Sequence, residues 1–380
     1  MSYIVKWYPF EIYPESNSCR SLSTGPDGDI YIASYCENSP GHTAKILKYN
    51  ERTDSLDYLF DSSDIIKEST QCSVISGFTP SKSDKIMYIL LSYKNNLTHG
   101  SVLTAYNKNC VLWSCSFLKD QGARSLLHDE DNDLLYTLSY PRNHLIVFDI
   151  QKKTAKDLGR IGSVNSDVLF MDSRHRIWTA NDYGNLISYD PAERRLKVSP
   201  HILPYNPDYQ TGWHNILHDA VEAHDEGCIY AVTGNVEPHL IRFYPDEGEW
   251  GKIEDLGVIT QDRDNTFPYN TFLDHCGGLV YGGDNQLYYV SSRWRDPVYN
   301  PTPVYQKKYE GVLFRMDTNS LEKEELITLD RPDNFAHHIS RGAVDNNGNL
   351  FFGNVGQATA GIFKVDMPIK IKNIPLRMWG

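Results

Sequence analysis

Seven times along this chain a short polar turn is followed by an aliphatic and then an aromatic residue. The units are Asp27-Gly28-Asp29-Ile30-Tyr31, Asp84-Lys85-Ile86-Met87-Tyr88, Asp131-Asn132-Asp133-Leu134-Leu135-Tyr136 and Arg174-His175-Arg176-Ile177-Trp178, then Glu226-Gly227-Cys228-Ile229-Tyr230, Asp284-Asn285-Gln286-Leu287-Tyr288 and Asn347-Gly348-Asn349-Leu350-Phe351. Their spacing is irregular, roughly 40 to 65 residues, the span of propeller blades with insertions. A short apolar run precedes each unit. A second strand follows it and ends on an aromatic and an acid or amide, as in Tyr49-Asn50, Tyr106-Asn107, Phe148-Asp149 and Tyr189-Asp190. One four-stranded sheet leaves both faces bare, whereas sheets stacked around an axis bury each other. The expected fold is all-β: a seven-bladed β-propeller of four-stranded antiparallel blades, forming a single domain over residues 1–380. Six blades is the alternative if the weakly patterned second unit is an insertion. The segment Tyr3 to Phe10 is expected to close the ring beside the last blade, since an open ring exposes sheet edges.

Composition supports a β-rich chain and narrows its partners. The 380 residues include 25 Tyr, 14 Phe and 7 Trp beside 26 Gly and 19 Pro, so aromatics and turn formers are both abundant. The net charge of -12 argues against nucleic acid and against anchoring on anionic lipid, which both need surplus cations. No apolar stretch approaches the ~18 residues of a membrane-spanning helix. The first residues lack the basic start and apolar run of a signal peptide, and the seven cysteines are scattered with no Cys-x-x-Cys pair. A cytoplasmic protein with reduced thiols, monomeric or a simple homodimer, is expected.

The repeat also fixes where each loop points. In a propeller the loop entering each inner strand lies on the same face as the loop between the second and third strands; the polar turns lie on the other. Sorted this way, His42, His99, His144, His214, His218, His239, His275, His337 and His338 fall on the first face, and only His128, His175, His201 and His224 fall elsewhere. Arg20, Arg124, Arg142, Arg293, Arg295 and Arg341 join the first face, with Tyr35, Tyr140, Tyr183, Trp213 and Trp294. An acidic chain that gathers cations and aromatics at one mouth is expected to bind an anionic small molecule or oligosaccharide there.

Individual clusters sharpen the expectation. His214 and His218 are four apart and precede Asp219, a spacing compatible with a divalent metal pair on one helical turn and also with an ordinary loop leading into a strand. His275, beside Asp274 and before Gly277-Gly278, is a candidate base. His337 and His338 point to opposite sides of a strand, so one at most faces the channel, with Arg341 as a carboxylate fork. The long loop Ser291 to Tyr309 carries Arg293, Trp294 and Arg295, a combination that stacks a sugar ring and holds an acid group. No Gly-x-Ser-x-Gly elbow, phosphate loop, His-Glu-x-x-His or dinucleotide fingerprint occurs.

The cadence from Leu134-Leu135-Tyr136 to Asp157-Leu158-Gly159, and the run Tyr183-Gly184-Asn185-Leu186-Ile187-Ser188-Tyr189-Asp190-Pro191, resemble carbohydrate-active seven-bladed propellers: the oligogalacturonate, ulvan and rhamnose-glucuronate lyases and propeller rhamnosidases. That resemblance implies uronate-containing substrates and His, Tyr and Arg catalysts, sometimes with a divalent metal. The inner strand of the second unit, Gln71-Cys72-Ser73-Val74-Ile75-Ser76, departs from it by carrying no His. The leading expectation is a carbon–oxygen lyase. His275 or His338 takes the proton beside the carboxylate, Tyr35 or Tyr140 protonates the leaving oxygen, and Arg20, Arg124, Arg293, Arg295 and Arg341, with Trp213 and Trp294, bind substrate. The alternatives are a metal-dependent hydrolase or lactonase using His214, His218 and Asp219, a non-catalytic binding propeller, and a tailoring enzyme of small-molecule biosynthesis.

Overall fold

Each polar turn introduces the second strand of a blade, and the aromatic that follows it is buried. In the computed structural model Tyr31, Tyr88, Tyr136, Trp178, Tyr230, Tyr288 and Phe351 are all 7% exposed or less. The turns are locked by their own acids and amides. Asp172 Oδ1 accepts from the backbone N–H of Arg174 and Arg176, and its Oδ2 accepts from Arg176 Nε and Trp178 Nε1. Asp345 caps the blade 7 turn with the same pair of backbone bonds, and Asn181 does so in the hairpin between the second and third strands of blade 4. An Asx residue holding its own backbone in this way is what allows so short a reversal.

The structure describes residues 2–10, 16–36, 42–67, 71–94, 99–107, 109–163, 166–204, 216–234, 238–259, 276–294, 309–331, 339–355 and 360–371. They form seven antiparallel sheets, one for each unit. The inner strands of blades 1 and 3 to 7 are Ser18–Thr24, Gly122–Asp129, Phe170–Met171, Leu217–Ala223, Cys276–Tyr281 and Ile339–Val344. Blade 2 has a divided inner strand, Gln71–Ser73 and Phe78–Ser81, both paired with Ile86–Lys94. The weakly patterned unit is therefore a blade with a break in it, which decides between seven and six. Ser76 occupies that break with a left-handed φ of 47°. The first strand, Ile4–Pro9, pairs with Gly361–Asp366 and completes blade 7, closing the ring as expected.

The core is distributed in seven clusters, each between two consecutive blades. Tyr31 and Phe60 of blade 1, for example, meet Tyr106 of blade 2 at centroid distances of 6.4 and 5.5 Å. Burial of such rings is the main force holding the ring together. At the axis the inner strands press close: a Cβ on Gly342 of blade 7 would lie 2.6 Å from the Gly278 carbonyl of blade 6.

Candidate functional site: an axial plug between two compartments

The inner strands run in one direction around the axis, so equivalent positions form layers across the channel. One layer contains Ser76 of blade 2, Asp167 ahead of the blade 4 strand, Asp219 of blade 5 and Arg341 of blade 7. Arg341 ties it together. Its Nη1 donates to the carbonyls of His218 and Ser340 at 2.9 and 2.7 Å and to Asp219 Oδ1 at 3.2 Å. Its Nη2 donates to Ser76 Oγ at 2.6 Å and to the Asp167 carbonyl at 2.8 Å. The break in blade 2 puts Ser76 within reach, and its backbone also bridges blades 1 and 3 through Arg20 and Leu126. The result is a polar plug across the propeller axis.

Asp219 is equally committed. Its Oδ2 accepts from the Leu279 N–H of blade 6 at 2.9 Å, and its Oδ1 accepts from Ala220 N–H. Burial pushes its carboxyl above the usual range, against the pull of Arg341 and the backbone donors. Asp167 behaves oppositely. Burial alone would raise it, but Arg124 and Arg20, with His218 and Arg341, outweigh that and hold it below the usual range. Arg124 Nη1 lies 3.2 Å from Asp167 Oδ1 and Arg20 Nη1 3.8 Å from Oδ2, so two guanidiniums flank one carboxylate. The Arg124 guanidinium also sits over the Tyr140 ring, 4.6 Å from its centroid.

On the inner-strand-start side of the plug, Arg20, Ile75, His218, Cys276, Gly277 and Ser340 bound a space of about 10 Å³, enough for one water. On the polar-turn side the channel widens into a cavity of about 400 Å³, within the range of small-molecule sites. Its walls include Leu22, Phe78, Leu127, Leu169, Phe170 and Val221, and its charged groups include Lys82, Glu130, Asp131 and Glu222.

The residues singled out in the sequence separate into several groups. Arg20, Arg124, Arg341, His218 and Asp219 meet on the axis, and Tyr140, 46% exposed, joins them through Arg124. Tyr35, expected as an acid at the mouth, lies apart from them: it is 1% exposed in the core between blades 1 and 2. Arg341, expected as a carboxylate fork, directs its donors into the plug. Asp219 gives both carboxylate oxygens to donors, and among the described residues no group of three potential metal ligands forms. Arg293 and Trp294 lie on the strand Gln286–Trp294, paired to Glu310 and Tyr309. Trp213, His214, His275, Arg295, His337 and His338 lie outside the described residues.

Two of the histidines assigned to the mouth belong to the scaffold. His144 Nδ1 meets Asp157 at 2.7 Å and His239 Nδ1 meets Asp255 at 2.9 Å, each joining the third strand of its blade to the fourth. Lys45 and Asp61 make the corresponding pair in blade 1. The repeated Asp-Leu-Gly at 157–159 and 255–257 signals this lock. Sequence reasoning passed over Ser76, Asp167 and Glu222. A lone serine and a lone aspartate carry no motif, and only the layer geometry gives them a place.

A closed ring of seven four-stranded blades with a plugged axis defines the class: a seven-bladed β-propeller. No family model and no curated protein sequence matches the chain. The extracellular domain of the one-component system BT4673 from B. thetaiotaomicron matches with a TM-score of 0.59 at 13% identity, over 95% of this chain and 40% of that one. This chain thus spans less than half of that relative's length. The WD40 repeats of RRP9 match with a TM-score of 0.59 at 10% identity, over 95% of this chain and 96% of that one. YCF48 bound to D1 peptide matches with a TM-score of 0.56 at 8% identity, over 97% and 96%. These likenesses establish the fold alone.

Proposed function

We propose that the chain binds an acidic small molecule of the uronate class on the inner-strand-start side of the plug and cleaves it by β-elimination. The observation that carries the reading is the pair Arg20 and Arg124 around the single carboxylate of Asp167. Guanidiniums gathered beside one carboxylate attract an anionic ligand and can share it through forked hydrogen bonds. Tyr140, held beneath Arg124, offers a ring face for a sugar and a hydroxyl at its edge. In the reaction, His275 or His338 takes the proton from the carbon beside the carboxylate. Its electrons form a carbon–carbon double bond, the adjacent carbon–oxygen bond breaks, and the leaving oxygen takes a proton from Tyr140. The proposal places the chain in a reducing cytoplasm, where its seven free cysteines stay thiols.

Calorimetry with digalacturonate and the neutral galactobiose tests the binding step. Digalacturonate is expected to bind at least tenfold tighter, with the difference lost in Arg124→Ala; equal binding of the neutral sugar sinks the anion assignment. Absorbance of unsaturated uronate tests the chemistry, and turnover unchanged in both His275→Ala and His338→Ala rejects the lyase. The peptide in the YCF48 complex favours a second reading, in which the same face holds an acidic peptide without turnover. Saturable binding of an acidic peptide with no product from any uronate would identify it.

A further inference from the structure

The cavity on the polar-turn side of the plug has the opposite electrostatic character from the Arg20–Arg124 side. Five carboxylates line it, against the two cations Lys82 and Arg341. Three of the five are already engaged. Asp167 and Asp219 belong to the plug, and Glu130 Oε1 accepts from Ser81 Oγ and from the Ser83 N–H and hydroxyl. Asp131 is exposed. Glu222 differs from all of these. Its side chain is 11% exposed, its Oε2 lies 3.2 Å from His224 Nε2, and that oxygen accepts no hydrogen bond among the described residues. Burying a carboxylate is costly unless a cation pairs with it, and the cavity that Glu222 lines leaves room for one. Around it the cavity offers the rings of Phe78 and Phe170 and the side chains of Leu127, Leu169 and Val221.

We propose that this cavity is a second binding site, for an organic cation that places an ammonium group on Glu222 and an apolar body against Phe78, Phe170 and Leu127. The class includes alkyl- and arylammonium compounds, whose charge and apolar body match the carboxylate and the walls. Burial supports the choice by pushing the Glu222 carboxyl up to about 8, with Lys82 pulling it down, so a cation entering the site recovers the cost of ionising it. The site is independent of the uronate reading, because the plug separates the two compartments.

The test is calorimetry and ligand-observed NMR on the full chain with 4-phenylbutylammonium, the neutral 4-phenylbutanol and the anionic 4-phenylbutyrate. The ammonium is expected to bind at least tenfold tighter than the alcohol, and the carboxylate most weakly. Glu222→Gln is expected to bring the ammonium within about twofold of the alcohol, and Lys82→Ala to tighten the ammonium by about threefold. Ammonium binding no tighter than the alcohol, or a tenfold preference that survives Glu222→Gln, overturns the proposal. Should Glu222→Gln fail to fold, the wild-type ranking and Lys82→Ala decide, with weaker ammonium binding in Lys82→Ala counting against the site. Digalacturonate affinity is expected to stay within twofold in Glu222→Gln, so failure at one compartment is distinguishable from failure at the other.

Discussion

Removing the Arg341 side chain tests whether the axial plug is a structural element. Arg341→Ala deletes five hydrogen bonds that reach Ser76, Asp167, His218, Asp219 and Ser340, and leaves the buried Asp219 carboxylate without its cation. Breaking a buried ion pair from one side costs about 3–5 kcal/mol. The Arg341 side chain is 17% exposed, so water replaces part of what is lost and about 3 kcal/mol is the expected destabilisation. At ~2.1 cal/mol/K per residue, 380 residues give an unfolding entropy of about 0.8 kcal/mol/K, so the midpoint should fall by about 4 °C. Arg341→Lys keeps a point charge near Asp219 but loses the fork, and should cost about half as much. Asp219→Asn combined with Arg341→Ala should show coupling of about 1–3 kcal/mol in a double-mutant cycle. Scanning calorimetry on the wild type and these four variants reads all of this. A midpoint change below 1 °C in Arg341→Ala, or strict additivity with Asp219→Asn, would refute the plug.

Asp172→Ala removes an acceptor of two backbone and two side-chain donors and strands Arg176, which also holds the carbonyls of Glu249 and Pro245 in blade 5. A loss of about 3–5 kcal/mol is expected, with a shift in the fluorescence of the fully buried Trp178, and a native-like midpoint would exclude this role. Glu222 sets a pH dependence of stability through a folded-state pKa of about 8, raised above the unfolded value by burial, with Lys82 opposing. The folded state binds the extra proton between about pH 4.5 and 8, so stability should fall as pH rises through that window. His224, Asp131, Glu130 and the plug residues Asp167, Asp219 and Arg341 complete the charged surroundings. Denaturant midpoints of Glu222→Gln should lose this slope, and parallel slopes in the two proteins would exclude it.

The sequence carries the scaffold well because the scaffold is repetitive. A blade needs an aromatic at one fixed place after a turn, and seven such places stand out even where the intervening lengths vary. Closure by the segment Tyr3 to Phe10 is legible on a different ground: an open ring would leave sheet edges exposed. The site is legible only in part. Arg20, Arg124 and Arg341 sit at the starts of inner strands, and that position alone places them on the axis. What each guanidinium does there depends on partners from other blades. Asp167 is 174 residues from Arg341 and Ser76 is 265 away, and no periodicity marks either. Counting histidines by face misled for a related reason: His144 and His239 are on the expected face, but their strand partners Asp157 and Asp255 claim them.

The plug gives the two compartments opposite responses to pH, which provides the sharpest joint test of both assignments. An anion placed between Arg20 and Arg124 competes with Asp167 for the two guanidiniums that hold its carboxyl down. The Asp167 pKa must then rise on binding, so the protein takes up protons and uronate affinity increases as pH falls, so long as the ligand stays ionised. An ammonium placed on Glu222 selects the ionised carboxylate from a group held mostly protonated at neutral pH. Its binding must release protons, and its affinity should increase as pH rises towards about 8. Calorimetry in buffers of different ionisation enthalpy measures both quantities directly. Uptake with digalacturonate and release with 4-phenylbutylammonium are the expected signs. The same sign for both ligands would mean that they share one site, and would remove the plug as a divider of the channel.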